Sequence, residues 1–224
     1  MSKQPLCLLF DLDGTLVDSE GICQQGYLDL VPELSDTIED MISRYRGVNL
    51  EEIMVDLEKR VGRSLEEDFE CRYRARVAQL LSSQLQPMPG VPEMLAQLTS
   101  AGFPICIASN GPLHKMRLSL ETCDLLRYFE GRLYSAHEIQ AWKPDPSLFL
   151  HAAQQLGYPP EQCLVIEDSP VGIEAAMAAG MIACYFDYHG SPPAEVPSTV
   201  LRVKTMSELP DLITNILARK RGWS

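Results

Sequence analysis

A chain of 224 residues, 46% of them hydrophobic, is long enough for a sizeable core, either as one large domain or as a core carrying a smaller insert. A formal net charge of −12 argues against nucleic acid or an anionic membrane surface as the default partner, and leaves room for a small anionic substrate only where a pocket is locally basic.

Leu6 to Phe10 is an apolar run that predicts a buried strand, and Asp11-Leu-Asp13-Gly14-Thr15 stands at its carboxyl end. Asp11 and Asp13 are two residues apart, so an extended chain turns both carboxylates to the same side. Two acids held that close repel unless a cation sits between them or one keeps its proton. An Asp-Gly turn is the plain alternative. An EF-hand loop is excluded, because counting from Asp11 puts Thr15, Leu16 and Ile22 where Asp or Asn, Gly and Glu are required.

From Asp18 to about Leu85 no strand run occurs. Ile38, Met41, Ile42 and Tyr45 are spaced as one helix face, Ile53, Val55, Leu57 and Val61 suggest another, and residues 66–81 read as a further helix. Ser82 to Gly90 reads as a linker. Thereafter helix and strand alternate: helix Pro92–Ala101 closed by Gly102, strand Phe103–Ala108, helix Pro112–Leu126, a short strand Leu133–Ser135, helix Pro146–Leu156 closed by Gly157, strand Cys163–Ile166, helix Pro170–Ala179 closed by Gly180, strand Ile182–Phe186, and a weak signal over Val200–Val203. The second strand ends in Ser109-Asn110-Gly111-Pro112, whose helix-start amides favour anions. Lys143 precedes a proline, and the third long strand ends in Glu167-Asp168 before Ser169-Pro170, an N-cap followed by proline at the first helical position.

These four elements, in this order and spacing, resemble the motifs of the haloacid dehalogenase superfamily, and they bracket residues 11 to 168. The resemblance implies an α/β fold: a Rossmann-like parallel-sheet core from residues 1–17 and 86–224, with an inserted α-helical cap over 18–85. It implies Asp11 as nucleophile, Asp13 as general acid and then base, Ser109, Asn110 and Lys143 around the phosphoryl group, and Mg2+ held among Asp11, Asp13, Glu167 and Asp168, with Asp13 giving its backbone carbonyl and Glu167 either ligand or neighbour. For the acid role Asp13 must begin protonated, and repulsion from neighbouring carboxylates is the expected cause. A dehalogenase, or a phospho-ligand sensor without catalysis, would have no need of Asp13 beside Asp11.

Ser43-Arg44-Tyr45-Arg46-Gly47-Val48-Asn49 is similar to the substrate-facing cap loop of the beta-phosphoglucomutase branch. Mutases of that branch carry an arginine where this chain has Leu50 and a histidine where it has Cys23, which favours phosphatase over mutase. Tyr45 to Leu50, Ser109 to Pro112 with Lys115-Met116, and Ile139 to Pro146 resemble the sugar-acid phosphatases of the branch. The implied substrate is a small phosphorylated sugar or sugar acid such as 6-phosphogluconate, with Arg46 reading its carboxylate and Arg44 and Lys115 as weaker candidates.

The seven cysteines are odd in number and form no Cys-x-x-Cys pair, so reduced thiols are expected, and none of the four histidines has metal-ligand spacing to another. No apolar run reaches membrane-span length, and the amino terminus lacks a signal-type core. The expectation is a cytoplasmic protein acting on a small phosphorylated metabolite, with no nucleic-acid or membrane partner and an oligomeric state left open.

Overall fold

The computed structural model describes residues 6–46, 48, 50–188 and 195–221. Gly47 and Asn49 of the cap-loop motif, and His189, lie outside the described residues.

Six strands form one parallel sheet in the order β3-β2-β1-β4-β5-β6. They are β1 (Cys7–Phe10), β2 (Ile105–Ser109), β3 (Leu133–Ser135), β4 (Cys163–Glu167), β5 (Ile182–Phe186) and β6 (Leu201–Val203). This is the Rossmann order. The chain builds outward from β1 to β3, then returns to place β4 on the other side of β1, and such a reversal opens a crevice at the carboxyl ends of the two central strands.

The strands are buried on both faces, which is why their sequences are continuous apolar runs. Period-two alternation divides them between two cores: Leu8 and Phe10 of β1 join one apolar cluster, Cys7 and Leu9 the other. Helices α8 (Ser147–Leu156) and α9 (Pro170–Ala178) cover the second face. Helices α5 (Val91–Ser100), α6 (Leu113–Thr122) and α10 (Leu209–Arg221) pack on the first. The short α7 (Ala136–Ile139) follows β3 directly.

Four helices occupy the stretch between β1 and α5: α1 (Glu20–Leu30), α2 (Ile38–Tyr45), α3 (Leu50–Val61) and α4 (Phe69–Gln84). Their inward side chains, among them Tyr27, Met41, Leu57, Phe69 and Leu81, belong to the same cluster as Leu16, Val17 and Met88. The two chain crossings into this helical unit are tied together: Asp18 N–H donates to the Gln86 carbonyl at 3.0 Å, and Met88 N–H to the Leu16 carbonyl at 2.9 Å.

Strand β2 is shifted to Ile105–Ser109, the short α7 is not among the expected elements, and three longer helices differ in ways that have a physical reason. Helix α4 runs to Gln84, so the linker begins at Leu85. Helix α6 stops at Thr122 instead of Leu126, because Asp124 takes a left-handed φ of 55° and Leu125 N–H closes onto the Leu120 carbonyl at 2.8 Å, with Leu126–Tyr128 forming a separate 3-10 turn. On α3, Val55 is 46% exposed while Ile53 and Leu57 are buried. The inward stripe follows the i, i+4 spacing of Ile53, Leu57 and Val61, and a residue two positions from Ile53 points to the opposite side.

The Val55 correction has a direct consequence for stability. Leu57→Ala should cost about 2–5 kcal/mol in denaturant unfolding, as for a buried leucine, while Val55→Ala should stay within about 0.5 kcal/mol. Equal costs would place both residues on the packed face.

Candidate active site

Because β1 ends at Phe10, Asp11 is the first residue beyond the sheet, and its N–H donates to the Ile166 carbonyl of β4 at 3.0 Å. Gly14 turns the following loop with φ +81°; a Cβ there would stand 2.4 Å from Asp168 Oδ2, so a glycine is what lets this loop close against the end of β4. Thr15 Oγ1 then donates to Asp168 Oδ1 at 2.7 Å.

Lys143 reaches into the same crevice from the loop before α8. Its side chain is 2% exposed, and Nζ donates to Asp11 Oδ1 at 2.5 Å and Glu167 Oε1 at 2.8 Å, 4.9 Å from the centre of the Phe149 ring. The second oxygen of Glu167 accepts from Ser169 N–H at 2.6 Å and Ser169 Oγ at 2.8 Å. Both carboxylate oxygens of Glu167 are thus engaged by protein donors. Gly172 makes room for this side chain: a Cβ there would fall 1.9 Å from Glu167 Oε1.

Asp13 faces a different cation. Lys115 Nζ donates to both its oxygens at 2.9 Å, and Ser19 Oγ donates to Oδ1 at 2.6 Å. Ser109 is buried at the end of β2 and accepts the Gly111 N–H at 3.1 Å, while Ser135 Oγ braces the loop through the Gly111 carbonyl at 2.7 Å. Asn110 Oδ1 accepts the Lys143 N–H at 3.0 Å, joining the loop after β2 to the lysine loop. Arg46, at the end of α2, makes a two-pronged pair with Glu20 at the start of α1, with Nε and Nη2 each 2.7 Å from a carboxylate oxygen. Arg44 lines a surface groove with Ser35, Asp36, Asp40, Ser43 and Arg60.

Electrostatics separate the acids. Burial, with Glu167 and Asp13 adding repulsion, pushes Asp11 up to about 7 even though Lys143 pulls it down. Burial and the charges of Glu167 and Asp11 raise Asp168 well above the usual carboxylate range, against the Thr15 hydrogen bond. Burial acts upward on Asp13 as well, but the Lys115 charge and the bonds from Ser19 and Lys115 outweigh it and hold this carboxyl below its ordinary value. The expectation that repulsion keeps a proton on Asp13 is therefore corrected. The acids carrying the repulsion are Asp11 and Asp168, because Asp13 has an ammonium of its own.

The donor set suits a hard divalent cation. Of the four carboxyl groups Asp11, Asp13, Glu167 and Asp168, the first three are paired with the two ammonium groups of Lys115 and Lys143 and Asp168 is bonded by Thr15, so when all are ionised the acids outnumber these two cations by two. Among the described residues no three His, Cys, Asp or Glu side chains form a metal-holding group. A cation here would take two carboxylates and complete its shell with backbone oxygen and water, which is the habit of magnesium.

Sequence reasoning missed Lys115 on Asp13, Ser19 on Asp13, Thr15 on Asp168, Gly172 beneath Glu167 and Glu20 on Arg46. Only Thr15 and Ser19 carried a local signal, being hydroxyls within a few residues of the acid pair. Of the pairings themselves, Ser19 with Asp13 and Gly172 with Glu167 are close in sequence, whereas Lys115 with Asp13, Thr15 with Asp168 and Glu20 with Arg46 join distant parts of the chain.

Residues 6–180 match the family model for haloacid dehalogenase-like hydrolases. The chain is 39% identical to 6-phosphogluconate phosphatase of Escherichia coli strain K12, covering 96% of each protein, and 33% identical to hexitol phosphatase B of the same strain, covering 80% of this chain and 82% of the relative. A solved haloacid dehalogenase-like protein of unknown function from Agrobacterium tumefaciens superposes with a TM-score of 0.80 at 30% identity, covering 96% of this chain and 100% of that one. A match over most of the chain, together with the sheet order and the acid pair leaving β1, places this protein in the family: it is a haloacid dehalogenase-like hydrolase.

Proposed function

We propose that the protein is a magnesium-dependent phosphomonoester hydrolase that acts on a phosphorylated sugar or sugar acid, 6-phosphogluconate in the first instance, through an aspartyl-phosphate. The observation that carries this reading is the crevice end of β1, where Asp11, braced by buried Lys143, and Asp13, a few bonds further on, emerge beside Ser109 and Asp168. The similarity to a 6-phosphogluconate phosphatase along nearly the whole chain supports the substrate. In this reading residues 1–17 and 86–224 form the catalytic core and residues 18–85 a helical cap.

Asp11 attacks phosphorus, its carboxylate oriented by Lys143, and so divides one displacement into two easier ones. Ser109, Lys143 and the amides of the Asn110–Gly111 loop hold the phosphoryl oxygens. Asp13 protonates the departing alkoxide and then, as a carboxylate, activates the water that hydrolyses the aspartyl-phosphate. The proton that Asp13 gives to the alkoxide has to be taken up first, against the Lys115 charge and the Ser19 bond that favour its carboxylate form. Glu167 acts by holding Lys143, with both its oxygens already engaged by protein donors. Asp11, Asp168 and the Asp13 backbone carbonyl would hold magnesium, which when bound supplies charge against the phosphoryl oxygens. Removal of metal by a chelator should abolish phosphate release and magnesium should restore it; undiminished turnover in metal-free protein contradicts this part.

The acid role of Asp13 is separable from the nucleophile. Asp13→Asn should slow the first chemical step on 6-phosphogluconate by about 100-fold or more, and much less on p-nitrophenyl phosphate, whose leaving group needs little protonation. Equal losses on the two, measured in the first turnover, would remove Asp13 from that role.

Arg46 is the cap group proposed to read the carboxylate. In the free protein it already holds the carboxylate of Glu20, so a substrate carboxylate exchanges for one that is present instead of filling an empty site. The net gain is accordingly small: Arg46→Met should weaken kcat/KM for 6-phosphogluconate by about 1–2 kcal/mol and leave p-nitrophenyl phosphate within about twofold. Equal losses on both substrates, or none on either, would take Arg46 out of substrate reading.

A further inference from the structure

Lys115 lies in the first turn of α6, where the helix dipole disfavours a cation and where no acidic residue is present to offset it. Its side chain is largely buried, so its rotamers are restricted as well. Both features weigh against keeping a lysine here for the helix alone. What the lysine does is specific: one ammonium bonds both oxygens of Asp13 at 2.9 Å.

A second grip on Asp13 is equally pointed and falls on Oδ1, which Lys115 also bonds. Ser19 is the N-cap residue of α1, yet its hydroxyl makes no capping bond and instead donates to Asp13 Oδ1 at 2.6 Å. A cap of this kind is ordinarily worth keeping on the helix. Asp13 thus receives three hydrogen bonds, one from the helical unit's first residue boundary and two from α6.

The place where this clamp sits relates it to the phosphoryl site. A Cβ on Gly111 would stand 3.5 Å from Ser109 Oγ, 3.6 Å from Asp13 Oδ2 and 3.9 Å from Lys115 Cδ. The loop that carries the phosphate-binding amides is therefore flanked at once by Asp13 Oδ2 and by the stem of Lys115.

We propose that Lys115 is a positioning residue that, with Ser19, fixes the carboxylate of Asp13 against the phosphoryl-binding loop, so that Oδ2 stays within reach of the leaving oxygen. The proposal rests on Asp13 being the acid and base of the reaction. Lys115 acts through Asp13 and makes no contact of its own with the reacting atoms. A misplaced acid costs rate without weakening binding, and an error of about 1 Å in such a group is enough for about 100-fold.

The test is a first-turnover comparison of Lys115→Met, Lys115→Arg and Asp13→Asn on 6-phosphogluconate and p-nitrophenyl phosphate in the presence of magnesium, with melting temperature as the check on folding. Lys115→Met should lower the first-turnover rate on 6-phosphogluconate by about 30- to 100-fold with KM changed less than about threefold, and lower the p-nitrophenol burst by less than about fivefold. Lys115→Arg, which keeps a cation, should recover most of the loss. Added to Asp13→Asn, Lys115→Met should change the p-nitrophenol burst by less than about twofold, since the group it positions has lost its function. A further loss in that background, a raised KM at unchanged kcat, or equal losses on both substrates would show that Lys115 binds substrate or serves the fold, and would overturn the proposal. Should Lys115→Met not fold, Ser19→Ala removes the other grip and must show the same leaving-group bias. If Asp13→Asn alone shows no bias, the acid reading fails and the proposal with it; if Asp13→Asn shows the bias and Lys115→Met does not, the proposal alone fails.

Discussion

A single buried ammonium holds the crevice together. Lys143 sits between Asp11 at the end of β1 and Glu167 at the end of β4, in a setting where any of the three charges alone would be severely penalised. Removing one member of such a set typically costs about 3–5 kcal/mol, because an uncompensated charge is left behind. The parallel pairing of β1 with β4 brings the two carboxylates to the same level, Gly172 leaves space for Glu167, and Asn110 fixes the backbone of the lysine itself. The sheet, the α9 start and the loop after β2 are therefore all conditions for one charge arrangement.

The same principle explains how an acidic chain maintains a site for an anionic substrate. Among the described residues, three cations named at the crevice are already paired: Lys143 with Asp11 and Glu167, Lys115 with Asp13, Arg46 with Glu20. In the proposed reading Arg46 would exchange the carboxylate of Glu20 for that of a substrate while Lys115 keeps Asp13 in place, so selectivity would depend on the difference between two good hydrogen-bonded pairs. Such exchange keeps the cations oriented in the free protein, which lowers the ordering cost of binding. The surplus of negative charge around Asp11 and Asp168 is what a divalent cation would relieve.

Much of this was legible in the chain. Strand runs, the acid pair at period-two spacing, the Ser-Pro start of α9 and the glycines after α5 and α8 are local signals, and they mark where the crevice is and which residues face it. What could not be read was pairing at a distance. Lys115 and Asp13 are 102 residues apart, and their contact depends on how α6 packs on the sheet. The expected repulsion from neighbouring carboxylates left out the lysine that tertiary packing supplies to Asp13. The need for a glycine at position 172 shows only in the fold, where the Glu167 side chain occupies the space a Cβ would take. Val55 failed for a simpler reason: apolar residues two apart on a helix do not share a face, and a β-branched residue can stand in solvent.

The most direct test of the account is to quench a reaction with 6-phosphogluconate and magnesium at early times and to weigh the peptides of the protein. The account predicts a transient peptide heavier by one phosphoryl group, localised to Asp11, absent in Asp11→Asn and labile in the way of an acyl phosphate. Rapid phosphate release with no covalent phosphoryl on Asp11 at any time would contradict it.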